Sequence, residues 1–163
     1  MTQSDLAQTL DIARSFNTGM LVTQPDGASL RGRPMTLAQV DDDGTIWFVT
    51  DAESDLVDEV KASERCAVEL SGKRLWAHLS GRMDVVDDLD QAQDLWSDAM
   101  DVWFPDGPES GGFTLLRMRP IRADWWDLRG GTMAKFAYRY AKARLKGETL
   151  SDRSFDGRGH ATL

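Results

Sequence analysis

Apolar and polar positions change period several times along this chain, and each change marks an element. Leu6, Leu10, Ala13 and Phe16 recur at three- and four-residue spacing behind Thr2 and Ser4, predicting an N-terminal amphipathic helix. Residues 19–24 read as a strand, and Pro25-Asp26-Gly27 as a turn. A long strand follows over residues 28–40. Pro34 has no N–H, so there the strand must be an edge, bent, or open to a ligand. A turn at residues 41–44 leads to a strand at 45–50, and a short helix over about 54–62 turns Leu56, Val57 and Val60 inward. Residues 65–70 alternate as a strand, Gly72-Lys73 turns the chain, and residues 74–86 run back with a bulge or corner at Gly81.

The second half continues in the same way. Leu89, Ala92, Leu95, Trp96 and Ala99 share one side of a helical pattern over 89–100, and a loop with two aromatic residues covers 102–108. Two strands, 113–118 and 121–128, are split by Pro120. Gly130-Gly131 breaks the chain before a basic helix at about 132–146. The polar tail 151–163 ends in a possible edge strand at 161–163. Six or seven strands joined mostly by tight turns imply antiparallel order, since parallel neighbours need long crossovers. A mainly β (α+β) barrel with helices outside accommodates these elements. Residues 1–130 would form the barrel, with 131–163 a helix and tail of the same domain.

Composition narrows the function. No apolar run approaches the roughly 20 residues of a bilayer span, and the polar, acidic start resembles no targeting peptide. A single cysteine, Cys66, permits no intrachain disulfide and suits a reducing cytoplasm. A net charge of −8 opposes binding to nucleic acid over the whole surface, but not the local capture of one small anion. His78 and His160 have no cysteine or second histidine at metal-ligand spacing, so no metal site is expected. No nucleophile elbow or cysteine–histidine pair is present, and no catalytic residue is named. The cations of the C-terminal helix suit a solvated face, with charges toward its C-terminus favoured by the helix dipole.

Arg33-Pro34-Met35-Thr36, Trp47-Phe48-Val49-Thr50 with Ser54, Leu79-Ser80-Gly81-Arg82, Leu95-Trp96 with Trp103-Phe104-Pro105, and Ala123-Asp124-Trp125-Trp126-Asp127 follow one another in this order. In order and spacing these segments resemble the flavin-binding split-barrel proteins related to pyridoxamine 5′-phosphate oxidase, and among them the general stress protein branch. The resemblance covers roughly residues 6–128. It implies a six-stranded antiparallel split barrel that forms a homodimer, with flavin mononucleotide (FMN) between subunits serving redox chemistry on a small-molecule substrate. It places Arg33, Pro34, Met35 and Thr36 along the flavin and makes Trp47, Phe48, Val49 and Thr50 a second wall. Ser54 would lie by the phosphate, although capping the helix that starts there is its more ordinary role and the two are compatible. Trp76 stands where relatives have a polar contact, and Trp103 and Trp125 would cap the ring or reach across the dimer. Of Trp47 and Phe48, adjacent on one strand, Phe48 is expected to face the core. The chain departs from the pattern at Asp55 and Leu56, where relatives commonly carry basic residues after the serine. A non-catalytic flavin or small-ligand binder is therefore the alternative to an oxidoreductase.

Overall fold

A computed structural model describes residues 3–25, 29–109, 111–147 and 157–163. The elements are α1 (Gln3–Arg14), β1 (Thr18–Thr23), β2 (Arg31–Thr36), β3 (Gln39–Val40), β4 (Ile46–Asp51), α2 (Asp55–Ala62), β5 (Arg65–Ser71), β6 (Leu75–Val86), α3 (Leu89–Leu95), α4 (Asp98–Asp101), β7 (Phe113–Asp127), α5 (Thr132–Lys146) and β8 (Arg158–Thr162). Asp26 and Gly27 of the expected turn, residues 151–156 of the tail, and the side chains of Leu6 and Ala99 lie outside the described part.

The strands make one antiparallel sheet in the order β2-β1-β5-β6-β7-β4-β3, with β8 joined to β7. The sheet curls until β2 approaches β4, giving an open half-barrel. Among the described residues there are eight strands where six or seven were expected, for local reasons. The chain leaves β2 at Leu37 and Ala38, and Gln39–Val40 then pairs separately with β4. Pro34 does lie on a terminal strand of the sheet path, opposite Met20.

Pro120 does not divide β7, which continues for 15 residues. It sits opposite Gly81, where the β6–β7 register shifts between Ser80 and Gly81. A Cβ at Gly81 would strike the Arg119 carbonyl oxygen, so only glycine admits this close approach. One edge of β7 pairs with β6 along most of the strand. Its other edge pairs with β4 over residues 113–118 and with β8 over residues 122–126. The barrel opens at the bulge.

Inward positions of the strands, joined by Ile12 and Ala13 of α1 and Leu56 and Val60 of α2, form the main core. A second, smaller core lies on the other face of β4 and β7, where Trp47 and Leu115 meet Ala92 and Leu95 of α3. The expected helix 89–100 breaks at Trp96 and Ser97, both extended in backbone. The Trp96 ring packs on Phe113 and Phe104 instead, at centroid distances of 5.1 and 6.3 Å. Leu89, expected on the inward face, is exposed.

The final strand docks through two glycines. A Cβ at Gly159 would enter the Trp125 indole, and one at Gly157 would enter the Asp127 carbonyl oxygen. Glycine at both positions lets β8 lie directly over Trp125.

Candidate functional site

The mouth of the half-barrel is built by β1, β2, β4 and α2. Helix α2 buries Leu56, Val57 and Val60, the apolar positions legible in the sequence, and Glu59 beside them. Glu59 is only 5% exposed. A carboxylate so placed requires partners, and β2 supplies two. Alternation along β2 sets Arg31 and Arg33 on the same face as Thr23 and Leu21 of β1, their paired positions.

Arg31 donates from Nη1 to Glu59 Oε1 at 2.8 Å, Arg33 from Nη2 to Oε2 at 2.5 Å, and the Thr23 hydroxyl to Oε2 at 2.6 Å. Burial alone would raise the Glu59 carboxyl. The hydrogen bonds from Arg33, Thr23 and Arg31 and the charge of Arg33 outweigh it, bringing the pKa from 4.5 to about 2. Two guanidinium groups on one carboxylate leave one positive charge in excess.

At the start of the same helix, the Thr50 and Ser54 hydroxyls lie 3.2 Å apart. Ser54 occupies the N-cap position, yet its side chain accepts no hydrogen bond from the helix; its hydroxyl turns toward Thr50. Glu59 follows Ser54 by about one and a half turns. Two hydroxyls and the first-turn N–H groups thus stand at the start of α2, and the net cation of the arginine cluster lies farther along the same helix; each is a group that an anion can use. Asp55 is exposed in that first turn, where its carboxylate is favoured by the dipole but competes with any bound anion. Leu56 is buried in the main core and could not be basic without vacating it.

The other residues proposed from sequence are dispersed. Pro34 and Thr36 are exposed on β2, whereas Met35 packs against the main core. Phe48 is fully buried in that core. Trp47, on the opposite face, is buried in the second core; it donates from Nε1 to Asp41 Oδ2 at 2.7 Å, with the Arg117 guanidinium over its ring. Adjacent residues thus serve two cores, and neither ring faces an open groove. Val49 is half-buried beside Trp47. Trp125 is buried beneath β8, so its ring is taken by packing within its own chain. Trp76 is partly exposed opposite Trp126, itself covered by Arg158. Trp103 is 79% exposed on the loop after α4.

Strand register brings together residues that the sequence reading kept apart. His78 lies opposite Glu69, Asp124 opposite His78, and His160 opposite Asp124. Both histidines thus share one row across β5, β6, β7 and β8, with His78 Nδ1 2.5 Å from Glu69 Oε1. Asp124 is held below the ordinary carboxylate range, chiefly by hydrogen bonding from Arg122. Among the described residues no group of three or more metal-ligating side chains converges. Burial pushes the Cys66 thiol up to about 12, far from a reactive thiolate. Glu59 and Thr23 are the site residues that sequence reasoning missed. The available signal was a carboxylate on the inward face of α2 together with two arginines two residues apart on one strand.

A single antiparallel sheet curled into a half-barrel, with helices packed on it, defines the class of protein. The sequence model of the family described as pyridoxamine 5′-phosphate oxidase like matches residues 4–151, and the chain belongs to that family. A structure described as general stress protein 26 from Jannaschia is 30% identical, covering 99% of this chain and 100% of its own, with a TM-score of 0.73. The general stress FMN/FAD binding protein from Xanthomonas citri is 26% identical over 79% of this chain and 92% of its own, with a TM-score of 0.68. A pyridoxamine 5′-phosphate oxidase-related, FMN binding protein from Nostoc punctiforme shares the fold at 20% identity, over 78% of this chain and 84% of its own, with a TM-score of 0.60. No curated protein matches the sequence. No described helix is long and apolar enough to cross a membrane.

Proposed function

We propose that this chain is a flavin-binding protein that takes FMN, works as a cytoplasmic homodimer, and serves oxidation–reduction of a small molecule. The reading is supported by family membership and by the FMN or FAD binding that similar structures carry in their descriptions. The observation that carries it is Ser54, which gives up capping its own helix and joins Thr50 in a part-buried hydroxyl pair at the start of α2. Together with Arg33, 26% exposed at its side chain, these groups would hold the phosphate. Pro34 and Thr36 on the edge strand would flank the ring. Trp76 and Trp103, the more exposed tryptophans of the proposed set, would meet it from within or across the dimer. Trp47, Phe48 and Trp125 would support the wall from behind. A bound flavin supplies hydride and single-electron chemistry, and the chain's own residues bind and orient it.

A second reading, a non-catalytic flavin binder, is favoured by one feature. Both β2 arginines already serve Glu59, so only the excess charge of the cluster reaches an anion, and Asp55 opposes it. Turnover of NAD(P)H by the flavin-loaded protein separates the two readings. Flavin binding itself is tested by quenching of FMN fluorescence at micromolar protein. With Thr50→Val and Ser54→Ala combined, FMN affinity should fall by roughly 10-fold or more while riboflavin, which lacks the phosphate, is unaffected. Equal loss for both ligands would remove these hydroxyls from the phosphate site, and absence of quenching in the unaltered protein would end the flavin reading.

A further inference from the structure

Helix α5 and the segment around α3 and α4 are opposite in charge, and both expose large apolar side chains. Along α5, Lys135, Arg139, Lys142 and Lys146 fall on one stripe, at i, i+4, i+7 and i+11. Arg144 adds a fifth cation, and the helix contains no acid. The rest of its circumference carries alanines, Met133, Phe136, Tyr138, Tyr140 and Leu145. Only Ala143 is buried, whereas Tyr138 is 69% and Leu145 88% exposed. Tyr138 and Leu145, seven residues apart and so on one side of the helix, give it an exposed apolar strip of the kind that marks a contact surface.

Residues 83–116 contain nine Asp and Glu and no Lys or Arg. Asp87, Asp90, Asp94, Asp101, Asp106 and Glu109 are exposed there. Among them stand Leu89, Val102 and Trp103, all exposed. The loop bearing Val102 and Trp103 is based on the packed rings of Trp96, Phe104 and Phe113, so its aromatic tip is presented on a supported frame.

We propose that α5 of one copy of this chain seats on the α3–α4 face of a second copy. Among the described residues Tyr138, Leu145, Val102 and Trp103 all remain exposed, apolar area that a second copy could cover. Each copy carries both complements, so a two-fold arrangement closes with two identical contacts. Aromatic burial supplies the attraction, and the charges set register and exclude wrong partners. An extended polyanion is a poorer occupant: with +5 in this helix and −8 overall, the remainder of the chain carries −13 and would repel it. The inference needs the second copy that the flavin reading also invokes, but no flavin.

The test mixes isotope-labelled and unlabelled full-length protein, joins amines to carboxylates with a carbodiimide, and identifies the linked peptides by mass spectrometry. Links between lysines of residues 135–146 and acids of residues 87–109 are expected, about half of them joining labelled to unlabelled chains in an equal mixture of two-fold dimers. Links confined to chains of one isotope would show the helix folding onto its own chain, and no links between these segments would show no contact. Either result overturns the proposal. A variant with Lys135→Glu, Arg139→Glu and Lys142→Glu should lose the mixed-isotope links, as should one with Asp87→Lys, Asp90→Lys and Asp94→Lys. All six positions are exposed, and circular dichroism confirms folding. Mixing the two variants should restore the links, helix carboxylates to body lysines in one contact and the original helix lysines to body acids in the other. Failure to restore them, or co-sedimentation of the unaltered protein with phosphatidylglycerol vesicles in place of the links, would also overturn it. Flavin binding is read separately by fluorescence, so the two proposals can fail independently.

Discussion

Charge is handled in two ways in this molecule. At the barrel mouth a buried carboxylate on α2 is enclosed by two guanidinium groups of β2 and a hydroxyl of β1, each at hydrogen-bonding distance. Around α3, α4 and α5 many more charges sit in solvent, segregated by sign between different segments. The mouth has fewer charges and more consequence. A low-dielectric surrounding strengthens each interaction and makes an unpaired member costly, whereas water and salt reduce each peripheral charge to a small contribution. Specificity at the mouth comes from individual atoms; at the periphery it comes from the sum.

The comparison breaks most visibly at Glu59. Glu59→Ala leaves Arg33, largely enclosed, beside Arg31 without the shared carboxylate, and should lower subunit stability by about 2–3 kcal/mol in urea denaturation. A change under about 0.5 kcal/mol would place this cluster in the same category as surface pairs.

Acid sharpens the same contrast. The folded pKa of Glu59, about 2, lies below its ordinary value of 4.5. Its contribution is therefore complete above pH 4.5 and is lost as pH falls toward 2. Allowing for the solvent around Arg31, that contribution amounts to about 1–2 kcal/mol. Subtracting the pH profile of Glu59→Gln from that of the unaltered protein isolates it from Asp43, Asp124 and Asp127, whose carboxyls are also held low. Parallel profiles between pH 5 and 2 would contradict the assignment.

The smallest effect belongs to the periphery. Lys142→Ala or Asp90→Asn, measured by urea denaturation of the subunit, should change stability by less than about 0.5 kcal/mol. A larger change would show that these charges already support the fold of a single chain rather than its contacts.

The two regions were not equally legible. At the mouth, the inward face of α2 followed from helical spacing, and Leu56, Val57 and Val60 lie where that spacing puts them. Arg33, Thr50 and Ser54 were singled out together, and Thr50 meets Ser54. The role of Glu59 was hidden because its partners lie 26 and 28 residues earlier in the chain. Nothing local distinguishes a carboxylate awaiting an arginine from one facing water. The helix at 89–100 failed for a related reason. Its apolar spacing is helical, but the chain turns extended at Trp96, whose ring packs at a tilt against Phe113 and Phe104, contacts that spacing within the helix does not record.

By itself the sequence determined roughly where most strands lie, though not that 28–40 divides or that Pro120 leaves β7 whole, together with the antiparallel order that short turns demand, the α2 and α5 helices, and the family to which the chain belongs. These rest on interactions within a few residues, which side-chain periodicity records directly. Only the tertiary structure decided that Pro120 faces Gly81, that Trp125 lies under Gly159, that both histidines share one row, and that Arg31 and Arg33 close on Glu59. Those outcomes depend on strand register and on the curl of the sheet. A shift of one residue would turn each of these side chains to the opposite face, and many distant contacts must act together to prevent it.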